Sequence, residues 1–281
     1  STRKESSAAS DVYKRQLIST AFDHPDHTGS HDFNTGLLCC LPKKPFGSDE
    51  ALGPYYRGED TRPLNIVNTD NRLIANAVRL HVEPILEKWI SSAQQGFLKG
   101  RSLLSNVASL DHAAMLTSLS QGRGTMVFFD FKAAFPSVAH HFLFGVLNHL
   151  GLPRSLINVI TALYDNNHCQ IACQGSLYSG FSLGCGIRQG CPLSPLLFAL
   201  AVDFHLRSLN QAFPACTIKA FADDIGMVVE DWSRDCHQAR LLFDEFACMS
   251  GLALNIPKTV LIPLWPNAIQ EVQQNVSMEN N

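Results

Sequence analysis

Residues 217–230 read Thr217-Ile218-Lys219-Ala220-Phe221-Ala222-Asp223-Asp224-Ile225-Gly226-Met227-Val228-Val229-Glu230. Two apolar runs flank a pair of aspartates. The segment predicts a tight hairpin, with strands over 217–222 and 225–230 turning at Asp223-Asp224. A second carboxylate site lies upstream. Thr125-Met126-Val127-Phe128-Phe129-Asp130 is a continuous apolar run with an acid at its tip, the pattern of a buried strand. Each site has a local reading: an aspartate at a turn bonds its own backbone, and one beyond a strand caps a helix. Brought together they have another. Three carboxylates repel unless cations lie between them, and carboxylate oxygens are the ligands Mg2+ prefers. Two such ions about 3.5–4 Å apart stabilise the attacking and leaving oxygens of an in-line displacement.

The rest of the chain supplies helices and further hairpins. Leu73, Ile74, Ala77, Val78, Ile85, Leu86 and Trp89 fit a helix within 72–90, capped by Asn68, Thr69 or Asp70, with Pro84 expected to kink or divide it. Leu103, Val107, Leu110 and Ala114 give a second helix, stopped by Gly122 and Gly124. Residues 140–150, 153–165, 194–210 and 232–250 read as helices, the last ending on Gly251. Residues 168–173 and 177–183 predict a hairpin around Gln174-Gly175-Ser176, and 259–264 a last strand. Residues 17–61 read as loop-rich with one strand, Leu37 to Leu41. Antiparallel hairpins mixed with helices predict an α+β fold rather than a doubly wound sheet.

At 281 residues and 46% hydrophobic, the chain can bury a large core. A net charge of −3 excludes a strongly basic, histone-like binder of nucleic acid. The charge is uneven. Residues 62–101 hold six Lys/Arg against three Asp/Glu, and residues 130–281 hold eight against twelve. That split suits phosphates gripped in one place and metal ions in another, or is ordinary surface scatter. Nine cysteines with no CxxC pair argue against a zinc site or disulfide frame and for reduced thiols in an intracellular protein. The longest apolar run, Leu196 to Val202, is far short of the ~20 residues of a membrane span. Residues 1–16 read as an unfolded or non-native leader, 17–36 as a polar loop segment, and 266–281 as a disordered or truncated tail. His24, Asp26, His27, His31 and Asp32 read as a flexible loop rather than a metal site, and His140-His141 as a surface pair.

With these motifs in hand, the chain resembles the reverse transcriptase domain of non-LTR (LINE-like) retroelements over roughly residues 37–265. Leu41-Pro42-Lys43-Lys44 resembles the first fingers motif. Arg62-Pro63-Leu64-Asn65-Ile66 through Asn76, Gln95-Gly96-Phe97 and Gly100-Arg101-Ser102 resemble the second. Phe129 to Phe135 resembles palm motif A, Arg188-Gln189-Gly190-Cys191-Pro192-Leu193-Ser194-Pro195 motif B, and Phe221-Ala222-Asp223-Asp224 motif C. Gly251-Leu252 to Asn255, with Lys258-Thr259, resembles motif D.

The resemblance implies a right-hand polymerase architecture: fingers about 37–124, and a palm about 125–265 with an antiparallel sheet and a motif B region at 183–210. The thumb is expected to be absent or truncated, the chain being a piece of a larger polyprotein. The implied activity is RNA-directed DNA polymerase, adding dNTPs to a DNA primer on an RNA template with two Mg2+ ions, Mn2+ being an alternative. Asp130 and Asp223 would hold both metals with the Phe131 carbonyl, and Asp224 would take a smaller share. Arg62 would grip the triphosphate, helped by Lys43 or Lys44. Gln189, Gly190 and Ala222 would lie at the nucleotide. Lys258 would donate a proton to pyrophosphate. Phe135, five residues after Asp130, stands where RNA-dependent RNA polymerases resemble one another in an Asp that accepts the ribose 2′-OH. A ring there would exclude ribonucleotides, or else be plain core. Two other readings remain: a mobile-intron reverse transcriptase, and a truncated, non-catalytic RNA-binding remnant.

Overall fold

The computed structural model describes residues 33–51, 53–120, 122–173 and 175–265. The leader, the histidine-rich stretch before residue 33, the hairpin tip Gln174 and the tail after Trp265 lie outside the described residues. In chain order the elements are β1 (Gly36–Pro42), β2 (Gly47–Asp49), β3 (Gly53–Tyr55), β4 (Thr61–Val67), α1 (Thr69–Trp89), α2 (Leu103–Leu119), β5 (Thr125–Phe129), the single turn α3 (Ala134–Ser137), α4 (His140–His149), α5 (Arg154–Ala162), β6 (His168–Cys173), β7 (Ser176–Ser182), α6 (Ser194–Ala212), β8 (Thr217–Phe221), β9 (Asp224–Val229), α7 (Trp232–Ser250) and β10 (Val260–Pro263). The fold is α+β. No disulfide joins the nine cysteines. Among the described residues no helix is long and apolar enough to cross a membrane.

The chain divides into two compact units, residues 1–82 with 140–194 and residues 83–139 with 195–281. The first holds a sheet of order β4-β1-β6-β7, in which β1 and β6 run parallel and the other pairs antiparallel. Strands β2 and β3 were not expected within the loop-rich reading of residues 17–61, nor was β4, which begins at its end. Pro63 interrupts the sequence signal for β4, yet β4 is an edge strand, where a missing N–H is tolerated. Residues 33–35 form a turn that leads into β1. Phe33 and Asn34 are buried. The Asn34 amide donates to the carbonyls of Ala162 (2.7 Å) and Asp165 (2.5 Å) and accepts from Asn71 (2.8 Å). Those bonds pin the chain where it enters β1.

Helix α1 runs through Pro84 undivided. Val78, Val82 and Leu86, with Ile90 just past the helix end, are buried at four-residue spacing on both sides of the proline. Their continuous burial outweighs the single backbone bond that Pro84 removes. Asn68 is its cap, accepting from the Asp70 N–H.

The second unit is built on an antiparallel sheet of order β10-β5-β9-β8. Both faces of β9 are covered, which is why Ile225 to Val229 reads as an unbroken apolar run. On one face Leu110 and Ala114 of α2 pack on Val228. A Cβ at Gly226 would crowd both the Leu110 side chain and the Phe128 ring, so the glycine lets α2 approach. On the other face Phe129 meets Phe243 of α7 at 4.5 Å between ring centroids. Helix α6 is buried continuously from Leu196 to Val202, as befits a helix apolar all round. Helix α7 has both predicted ends. The Asp231 side chain caps its first turn, and Gly251 at φ 79° ends it with a bond to the Ala247 carbonyl (2.9 Å).

Candidate active site

Strand register brings the carboxylates together. Phe129 lies opposite Ile225 and Phe221 opposite Asp224. Asp130, one residue beyond Phe129, and Asp224, one before Ile225, therefore leave neighbouring strands at the same end of the sheet. The β8–β9 turn differs from expectation. It consists of Ala222 and Asp223, while Asp224 is the first paired residue of β9. The loop keeps the expected two-residue length but lies one residue earlier, so only one aspartate stays in it. Ala222 has φ 58°, a left-handed conformation costly for a residue with a Cβ.

Electrostatics reflect the crowding. The Asp223 carboxyl is raised above its ordinary value, chiefly by burial and further by the charge of Asp130. Asp224 is raised by burial and then by Asp223 and Asp130. Asp130 is held from the opposite side. Its backbone carbonyl accepts from the Asn255 N–H (2.7 Å), its Oδ2 accepts from Asn255 Nδ2 (2.9 Å), and Lys258 Nζ stands 3.9 Å from the same oxygen. Both side-chain contacts fall on Oδ2, which leaves Oδ1 to other partners. The Lys258 side chain is largely exposed, so this ion pair is weak. Phe131 bridges to Leu254. The two backbone bonds flanking that bridge use the carbonyls of Asp130 and Ala253, not that of Phe131.

Asp130, Asp223, Asp224 and the Phe131 carbonyl are a set of hard oxygens of the kind Mg2+ takes. Among the described residues no three His, Cys, Asp or Glu side chains stand as a ready-made metal cage. Phe135 stands on α3, after Ala133 turns the chain through φ 45°. Its ring is half-buried, stacked on Phe198 at 4.3 Å and met edge-on by Phe97 at 6.0 Å.

The remaining candidates belong to the first unit. Arg62 is exposed on β4, and Lys43 and Lys44 are exposed after β1. Gln189 is half-buried, and Gly190 has φ 96°, which a side chain would resist. Arg188 beside them is buried, its guanidinium 5.5 Å over the Tyr164 ring, and burial lowers its pKa. Of the pair read as surface, His141 is exposed but His140 is half-buried. The His140 Nε2 donates to the Gly186 carbonyl (2.9 Å), its ring meets Tyr164 edge-on, and burial lowers its pKa. A histidine at a helix start gave no sign of those partners.

Sequence reasoning missed Gln94. It is fully buried, and its side chain bonds both polar backbone atoms of Ala222, accepting from the N–H (2.9 Å) and donating to the carbonyl (3.1 Å). Neither periodicity nor charge marks such a residue, because its partner is 128 positions away.

The family model for reverse transcriptase (RNA-dependent DNA polymerase) matches residues 42–273. The chain belongs to the reverse transcriptase family. Its relatives include the transposon TX1 149 kDa protein of Xenopus laevis, 28% identical over 79% of this chain and 17% of that one. The Pol polyprotein of the type-1 retrotransposable element R2 of Popillia japonica is 29% identical over 75% of this chain and 30% of that one. This reverse transcriptase domain is thus homologous to those of non-LTR retrotransposons, and it spans less than a third of the length of those two relatives. Among solved structures it shares the fold of telomerase from Candida tropicalis, solved with a fragment of telomeric RNA. The TM-score is 0.62 at 12% identity, over 88% of this chain and 44% of that one.

Proposed function

We propose that this chain is the fingers and palm of an RNA-directed DNA polymerase from a non-LTR retroelement, extending a DNA primer along an RNA template with dNTPs. The observation that carries the reading is the convergence of Asp130, Asp223 and Asp224 at one end of the antiparallel sheet, with Asp223 and Asp224 raised by burial and by their neighbours. Such a cluster is costly for a fold to keep and is expected where cations neutralise it. Asp130, Asp223 and the Phe131 carbonyl would hold two Mg2+ ions, with Asp224 beside them. Bound there, the ions supply charge stabilisation to the attacking and leaving oxygens.

The chain's own residues do the rest. In the step itself the primer 3′-oxygen forms a bond to the α-phosphorus as the bond to pyrophosphate breaks. Arg62, helped by Lys43 or Lys44, would grip the triphosphate, while Gln189 and Gly190 would lie against the nucleotide. Lys258 passes a proton to the departing pyrophosphate, after leaving its resting place beside Asp130. Phe135 fills the space a ribose 2′-OH would occupy.

Primer extension on an RNA template, with dNTPs and Mg2+ or Mn2+, tests the reading. Wild type is expected to extend the primer, and Asp223→Ala to lose roughly 1,000-fold or more of the rate, the equivalent of about 4 kcal/mol of transition-state stabilisation. RNA binding without extension by wild type would favour the non-catalytic remnant.

A further inference from the structure

Gln94 stands in a segment that no chemistry of the site has so far used. Its amide orientation is dictated by its surroundings. Both Gly96 N–H (2.8 Å) and Ala222 N–H (2.9 Å) donate to one atom, which must be the oxygen, so the nitrogen faces the Ala222 carbonyl (3.1 Å). In a two-residue turn the pair Phe221–Asp224 closes the ladder and leaves the polar atoms of Ala222 without strand partners. Buried and unbonded, both would be costly to the fold. Gln94 satisfies both at once.

The surrounding backbone supports the same clasp. Gln95 N–H donates to the Ala220 carbonyl (2.8 Å), Ala220 N–H to the Ala93 carbonyl (2.8 Å), and Asn106 Nδ2 to that same Ala220 carbonyl (2.9 Å). A Cβ at Gly96 would collide with the Ala222 amide, so the close approach requires a glycine. Ala222 sits at φ 58°, a conformation that persists only where neighbours over-determine it.

We propose that Gln94 is a positioning residue: by bonding both polar atoms of Ala222 it fixes the Ala222-Asp223 turn, and so places the Asp223 carboxylate beside Asp130 and Asp224. The inference rests on the reading of those carboxylates as a metal site, and its consequence is that a neutral amide remote in sequence sets how tightly that site takes a divalent cation.

The experiment measures Mn2+ affinity directly, by electron paramagnetic resonance of free Mn2+, on the 281-residue chain in four forms: wild type, Asp223→Ala, Gln94→Met and Gln94→Asn. Melting temperature is recorded on each sample. Gln94→Met keeps the volume and removes both bonds. It is expected to weaken Mn2+ binding about tenfold or more in the folded protein, and to raise by a similar factor the Mg2+ concentration for half-maximal primer extension, while the Kd for primer-template stays unchanged. Gln94→Asn keeps the amide on a shorter stem and is expected to fall between, and it decides the matter alone if the methionine variant does not fold. A lower melting temperature with Mn2+ affinity within twofold of wild type, in whichever variant folds, overturns the inference and leaves the metal-site reading standing. Equal Mn2+ binding by wild type and Asp223→Ala overturns both.

Discussion

At the scale of single residues, the acids of the site are held by amides. Asn255 fixes Asp130 through both its backbone and its side chain, as Gln94 fixes Ala222. Asn255→Ala removes a bond to a charged oxygen worth about 1.5–3 kcal/mol. The expected result is a fall in kcat of about tenfold or more with little change in primer-template affinity, read by single-turnover extension. Phe135 offers a second test. Its ring leans on Phe198 and is only half-buried, so a smaller side chain would open space without emptying a core position. Phe135→Val is expected to raise incorporation of ribonucleotides relative to deoxynucleotides by roughly 10- to 100-fold, measured as the ratio of kcat/KM values. An unchanged ratio would mean that the ring is only packing. The aspartates were legible in the sequence because each ends or interrupts an apolar run. Gln94 was not, and Asn255 was read only as part of a motif and not as the partner of Asp130, since an amide's meaning lies in partners 128 and 125 positions away.

At the scale of elements, capping chemistry and strand patterning told most of the story. The C-terminal end of α7 was readable from Gly251, and the hairpin of β8 and β9 from its flanking apolar runs. Gly251 is doubly constrained, by its φ of 79° and by the Ser137 carbonyl, which a Cβ would strike. Gly251→Ala is expected to cost about 2 kcal/mol or more, visible as a lower midpoint in urea with the slope unchanged. Short or irregular elements escaped. Pro63 hid β4, and β2 and β3 are three residues each, too few to show an alternation. The turn slipped by one residue because two adjacent aspartates gave no local reason to choose which of them would pair.

At the scale of the whole molecule, the carboxylate cluster makes stability depend on pH and on cations. Burial, and then their neighbours' charges, raise Asp223 and Asp224 above the ordinary carboxylate value. Between that ordinary value and the raised one, the folded chain binds more protons than the unfolded chain. Unfolding free energy from these groups therefore falls as pH rises through that window. Without metal, the melting temperature of Asp223→Asn/Asp224→Asn should match wild type near pH 3 and exceed it at pH 7. Adding Mg2+ at pH 7 should raise wild type and leave the double variant unmoved. A difference between the two proteins that stayed flat from pH 3 to 7 would dispose of this account. The uneven distribution of charge along the chain was legible from composition. Its assignment to particular atoms came only with the register of β5 against β9.

That register also sets an order of events during synthesis. Strand β5 finds its central partner only when β9 has been made, since Thr125 pairs with Val229 and Phe129 with Ile225. At about 5–20 residues per second, Asp130 leaves the ribosome roughly 5–20 seconds before Asp223. Neither compact unit is a single stretch of chain, for each resumes after an interruption by the other. A nascent chain must therefore keep both unfinished, with the apolar strand ahead of Asp130 exposed to chaperones or to other chains in the meantime. The negative cluster is among the last features to assemble, so the repulsion it carries is met only once the sheet is there to contain it.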